Sequence, residues 1–192
     1  MMERLRQTPS QTVGPFFAYS LTAAQYGYDY NSIVNGSLHG DDTEGSRIYI
    51  TGSIYDGEGY PIPDALIEFR QADATGNNIP QYPNNPFSTL KGFGRLGTGT
   101  QREHSFTFST VKPRAANGQA PHIDVILFMR GSLHGLYTRI YFDDEANNHD
   151  PLLKEVDEAR RHTLIAKRQD KNSIYRFDIH MQGENETVFF EV

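Results

Sequence analysis

The most metal-like pattern in the chain is His122-Ile123-Asp124. Residues i and i+2 of a strand share a face, so an imidazole and a carboxylate placed this way can grip one ion. Two donors fall short of the three or four protein ligands that metal sites use, and no His-x-His or His-x-x-Glu motif occurs elsewhere. The competing reading gives His122 a structural hydrogen bond and Asp124 a salt bridge, because a carboxylate opening an apolar strand needs a partner. Arg130 follows the same apolar run. Its planar fork of donors suits a carboxylate-bearing ligand or an acidic side chain at the rim. A continuous strand would set His122 and Arg130 eight steps, or roughly 26 Å, apart, too far to serve one small-molecule site. Asp143-Asp144-Glu145 could hold a cation but reads first as a solvated turn, while His134, His149 and His162 sit in polar contexts expected at the surface. Gly92-Phe93-Gly94-Arg95-Leu96-Gly97 lacks the Lys-Ser/Thr that completes a phosphate loop. With no cysteine in the chain, disulfides, thiolate-bound metals and thiol catalysis are excluded. The 11 tyrosines read mainly as core and interface aromatics.

The 17 glycines and 10 prolines fall between short apolar segments, the punctuation of strands joined by turns. Ile48 to Tyr55 is rich in β-branched and aromatic residues, Asp56-Gly57-Glu58-Gly59 reads as a hairpin turn, and Ala65 to Arg70 resumes as its second strand. Ser105 to Val111 alternates, with Phe106 and Phe108 on one face. Ile123 to Met129 is apolar on both parities, which fits a central strand covered on both sides and, by pattern alone, equally a buried helix turn, and Tyr137 to Phe142 and Ile174 to Met181 read as further strands. Asp150-Pro151 followed by an apolar stripe predicts a helix to Val156. The fold class is therefore all-β, a β-sandwich with one or two short helices. Its 192 residues suit a single domain, with residues 46–192 as the sandwich and residues 1–45 as an N-terminal arm. That arm carries Phe16, Phe17, Tyr19, Tyr26, Tyr28 and Tyr30, too apolar to float free, and a partner subunit is the expected place to bury it. A net charge of −6 without a basic cluster argues against nucleic acid. No apolar run approaches the ~20 residues of a membrane span, and no signal peptide is legible, so a cytoplasmic location is expected.

Several ordered segments resemble the α chains of two-chain intradiol ring-cleaving dioxygenases. They are Thr8-Pro9-Ser10-Gln11-Thr12-Val13-Gly14-Pro15-Phe16, Arg70-Gln71-Ala72-Asp73, Thr110-Val111-Lys112-Pro113 and Ala120-Pro121-His122-Ile123. Phe128-Met129-Arg130-Gly131, Thr138 to Ala146, Arg176 to Ile179 and Gln182 to Phe190 complete the set, which spans nearly the whole chain. The resemblance implies a β-sandwich dioxygenase fold and a paired β chain of similar architecture in a higher αβ oligomer. It implies an Fe(III) centre held by that β chain, with protocatechuate and O₂ as substrates and 3-carboxy-cis,cis-muconate as product.

Iron-holding chains of this family use two tyrosines and a His-x-His pair. The matching positions here are His122 and Asp124, a site near Ala116, and one of Asn77, Asn78 or Ile79. Three of the four ligands are thus replaced, and the family's arginine just before the histidines falls at Gln119. The resemblance therefore implies no metal in this chain and no catalytic residue of its own. It places Arg130, Thr12, Gly14, Pro15 and Phe16 as the substrate-binding wall of the partner's iron site. Phe16 stands where α chains commonly have tyrosine, and Arg70 where the family often has tryptophan. The alternatives are a non-catalytic β-sandwich assembly module, an intradiol enzyme for another catechol, and a self-sufficient metalloenzyme built on His122 and Asp124.

Overall fold

A computed structural model describes residues 9–76, 91–169 and 173–191. The strands are β1 (Arg47–Tyr55), β2 (Leu66–Arg70), β3 (Phe93–Gly97), β4 (Ser105–Val111), β5 (His122–Phe128), β6 (Leu136–Phe142), β7 (Ile165–Arg168), β8 (Ile174–Arg176) and β9 (Ile179–His180). They form one sheet in the order β3-β2-β5-β6-β7-β8-β1-β4, with β9 also on β1. The sheet curls until its halves meet face to face. Phe69 of β2 stacks on Phe108 of β4 with ring centroids 3.8 Å apart, and Phe106 meets Phe69 edge-on. The seam is β7, parallel to β6 on one side and antiparallel to β8 on the other. The all-β, two-layered architecture expected from the alternating segments is thus present as one sheet folded onto itself. Ile50, Ile54, Phe69, Phe106, Phe108, Ile123, Leu127 and Ile140 are all fully buried between the layers, each such side chain contributing ~1.5–3 kcal/mol.

Three expectations are corrected. Asp56 to Gly59 does turn the chain, with Gly59 at φ +84°, but β1 and β2 do not pair. β1 lies between β4 and β8, whereas β2 lies between β3 and β5 in the opposite half. Turn chemistry fixes the reversal and leaves the partner to distant strands. Secondly, β5 is central but not covered evenly: Ile123, Val125 and Leu127 are buried, while Asp124, Ile126 and Phe128 are only partly so. Thirdly, Ile174 to Met181 is interrupted. β8 and β9 keep one parallel register on β1, but between them the Asp178 carboxylate, at 2.9 Å, accepts the Ser53 N–H in place of a backbone carbonyl.

The helix expected after Asp150 is α2 (Pro151–Glu155); the Asp150 side chain accepts from the Leu153 N–H and proline opens the first turn. A second short helix, α1 (Phe17–Leu21), and a 3-10 turn (Ala23–Tyr26) lie in the N-terminal segment. Much of that segment packs on its own sandwich. Leu38 is fully buried in the main core, Gln25 hydrogen-bonds Gly97, and the Tyr26 hydroxyl accepts from the Gly99 N–H. Phe16, Tyr28, Tyr30 and Ile33 remain outside, at 72, 54, 76 and 92% exposure. Among the described residues no helix is long and apolar enough to cross a membrane.

Candidate functional site

β5 lies inside the sheet between β2 and β6, and its two ends open at opposite ends of the strands. Beyond Phe128 the chain turns through Met129-Arg130-Gly131-Ser132, with Gly131 at φ +90° and the Ser132 N–H on the Met129 carbonyl. This turn has an exposed N–H at Gly131 and a carbonyl at Met129 with capacity to spare. The Thr12 hydroxyl meets both: it accepts from the Gly131 N–H at 2.9 Å and lies 3.3 Å from the Met129 oxygen. Next comes Gly14-Pro15-Phe16-Phe17, closed by the Phe17 N–H on the Gly14 carbonyl at 3.1 Å. Pro15 occupies the second position and Phe16 the third, with φ −89° and ψ 0°, as a type I turn prefers. Phe17 then packs its ring against Phe128, centroids 5.5 Å apart. The structure thereby brings Thr12, Gly14, Pro15, Phe16 and Arg130 onto one ledge.

Arg130 is fixed at its base by an ion pair from Nε to the Asp64 carboxylate, while its side chain stays 57% exposed. Among the described residues its terminal nitrogens have no partner. Asp64 was not singled out by sequence reasoning, because an acid after a proline in a loop carries no signal distinguishing an anchor from a solvated turn. At Gly14 a Cβ would meet nothing within 4 Å, so the chain's own packing places no demand for glycine there.

The other end of β5 is closed by internal partners. His122 Nδ1 lies 2.7 Å from the Ala120 carbonyl, so that nitrogen carries the proton and Nε2 is a bare acceptor. Burial holds the imidazole pKa below its ordinary value and favours the neutral ring, outweighing the Ala120 bond. Asp124 is committed to Arg139, with Nε to Oδ1 at 2.9 Å. The structural readings of both residues are therefore realised. Behind them Asp150 is fully buried and receives the Ala120 N–H, the Leu153 N–H and the Tyr141 hydroxyl at 2.9, 3.0 and 2.8 Å. Burial pushes this carboxyl up, but the three donors outweigh it and leave its pKa below the ordinary range. Tyr141 is shifted the other way, chiefly by burial, and stays a neutral phenol.

A cleft of about 300 Å³ lies over this end, and Arg70, Arg114 and Arg139 line it together with His122 and Asp124. These residues do not fit a ferric ion. One neutral imidazole and one carboxylate already paired with arginine face three guanidiniums, and repulsion replaces the charge neutralisation that Fe³⁺ requires. Ala116 offers no donor, and the position at Asn77, Asn78 or Ile79 lies outside the described residues. Among the described residues no cluster of three or more His, Asp or Glu is poised to hold a metal.

The acidic run Asp143-Asp144-Glu145 is the turn expected of it, with both aspartates exposed, and it does more than face solvent. Lys112 Nζ inserts between Asp144 and Glu145 at 2.8 and 2.7 Å, above the rings of Phe142 and Tyr175. Burial works against this ammonium, but its carboxylate partners outweigh the cost and raise its pKa. The run does hold a cation, and that cation is a lysine. His134, His149 and His162 are exposed, as expected.

The Dioxygenase family model matches residues 29–183. The protocatechuate 3,4-dioxygenase alpha chain of Burkholderia cepacia is 46% identical over 197 residues, covering all of both chains. The beta chain from the same organism is 30% identical, over 97% of this chain and 83% of that one. Among solved structures, an intradiol ring-cleavage dioxygenase from Tetranychus urticae matches 92% of this chain and 94% of that one with TM-score 0.62 and 17% identity, a likeness of fold. The His122 cleft and the exposed arginine ledge thus sit on a shared scaffold, and the chain belongs to the intradiol ring-cleavage dioxygenases, in the branch of their protocatechuate 3,4-dioxygenase alpha chains.

Proposed function

We propose that this chain is the working α half of a two-chain protocatechuate 3,4-dioxygenase in the cytoplasm, lining an active site whose Fe(III) is held by a β chain. The observation that carries the reading is the Thr12 clasp on the Arg130 turn. It joins two segments far apart in sequence into one outward-facing ledge with an anchored, half-exposed guanidinium. The reaction inserts both atoms of O₂ between the two hydroxylated carbons of protocatechuate, giving 3-carboxy-cis,cis-muconate. Activation of the ring and of O₂ belongs to the β chain's ferric centre. The α chain contributes shape and charge.

Substrate enters with one carboxylate and product leaves with three, so negative charge grows during turnover. Arg130, held by Asp64 at Nε, presents its terminal donors to that charge without reorganising. Gly14 and Pro15 form a wall against which a neighbouring backbone can approach closely. Phe16 adds an apolar surface with no hydroxyl, so recognition of the polar groups falls to Arg130. The exposed Tyr28, Tyr30 and Ile33 support burial of the N-terminal segment against the β chain. In the co-purified αβ complex, Arg130→Ala is expected to lower kcat/KM for protocatechuate about tenfold, the worth of one charge-assisted hydrogen bond. Unchanged kinetics would remove Arg130 from the site, and a complex inert toward protocatechuate and O₂ would favour a non-catalytic assembly module.

A further inference from the structure

The cleft at the His122 end is more than a closed metal position. Asp124 neutralises Arg139 across 2.9 Å, and His122, with its only ring proton on the Ala120 carbonyl, adds no charge. Arg70 and Arg114, also on the cleft wall, have no hydrogen-bond or ion-pair partner among the described residues. Asn117 and Gln119 line the same wall on a tight reversal in which Ala116 and Gln119 exchange backbone hydrogen bonds. Their side-chain amides are likewise unpartnered among the described residues. Gln71 is different: it donates to Val111 and accepts from Thr110, so it is structural.

We infer that this cleft binds a small organic dicarboxylate, held by the forked guanidiniums of Arg70 and Arg114 and oriented by the amides of Asn117 and Gln119. Two uncompensated positive charges converge on one concavity in a chain whose net charge is −6, so the local field opposes the global one. Guanidiniums match carboxylates in bidentate geometry. The volume of about 300 Å³ suits a chain of several carbons bearing two carboxylates, and a lone inorganic anion would leave most of it unfilled.

The test is calorimetric titration of the αβ complex with cis,cis-muconate and, separately, with inorganic phosphate. Wild-type complex is expected to take one muconate per α chain at this cleft, phosphate binding at least about tenfold more weakly because one compact anion lacks the second, separated anionic group. The Arg70→Gln/Arg114→Gln pair is expected to weaken muconate binding by about a hundredfold, tenfold for each charge-assisted hydrogen bond removed. Both arginines are exposed, so folding and protocatechuate turnover should be unaffected. Asn117→Ala/Gln119→Ala should weaken binding by about threefold, in keeping with neutral hydrogen bonds. Arg130→Ala should leave this binding event intact, which separates it from binding at the ledge. Binding that persists unchanged in the double-arginine variant would overturn the inference. Equal affinity for phosphate would also overturn it, by reducing the cleft to simple counter-ion attraction.

Discussion

The two ends of β5 have opposite chemistry. At the His122 end the polar groups on and directly behind β5 find partners inside the chain, although Arg139 Nη1 is buried without one among the described residues: Asp124 has Arg139, His122 has the Ala120 carbonyl, and Asp150 takes three donors. At the Arg130 end the guanidinium is anchored through Nε to Asp64, its side chain is more than half exposed, and its terminal nitrogens make no hydrogen bond among the described residues, on the turn that Thr12 clasps. A group whose hydrogen bonds are already made internally stabilises the fold and has little left for a ligand. An anchored group with unmet donors does the reverse. The difference teaches that one strand can end in groups committed to the fold on one side and in an anchored group with donors to spare on the other.

The sharpest way to break the comparison is at Asp150. Asp150→Ala removes the acceptor for three buried donors and should destabilise the chain by about 3–5 kcal/mol in denaturant unfolding of the complex. A loss near zero would mean that this end is not held together internally. Acid should act on the same end. The folded-state pKa values of His122, Asp144 and Asp150 are all depressed, so the unfolded chain binds more protons as pH falls. Their stabilisation is complete above the ordinary value of the imidazole, 6.5, begins to fall below it through His122, and falls further below 3.8 through the two carboxyls. Unfolding midpoints measured from pH 8 to pH 3 should trace this decline, and His122→Asn should remove its first part. Asp124→Asn leaves Arg139 half-compensated. Because Asp124 is 46% exposed, the cost should be only about 1–2 kcal/mol, again read from unfolding midpoints. The smallest stability effect should come from the other end: Thr12→Val loses one shared hydroxyl and should cost about 1 kcal/mol or less. That variant should nonetheless lower turnover severalfold by loosening the Arg130 turn, so stability and activity would separate at the ledge and coincide at the closed end.

Much of this was legible in the residues. Alternating β-branched and aromatic positions gave β1, β4 and β6, and Asp150-Pro151 marked α2 because a capping carboxylate and a proline act locally. The separation of His122 from Arg130 followed from strand rise alone. What escaped was non-local. The pairing of β1 with β4 and β8 is decided by distant strands, and the break between β8 and β9 depends on Asp178 reaching Ser53. The Asp64 anchor under Arg130 and the Lys112 plug in the acidic run join residues 66 and 32 positions apart. No local pattern encodes such meetings; only the tertiary fold makes them.

Iron stoichiometry of the intact αβ complex tests most directly whether this chain serves a metal that it does not hold. Metal analysis against amino-acid quantitation of both chains should give one iron per αβ pair, unchanged when Asp124 is replaced by alanine. Two irons per pair, or a count that falls with Asp124→Ala, would contradict it.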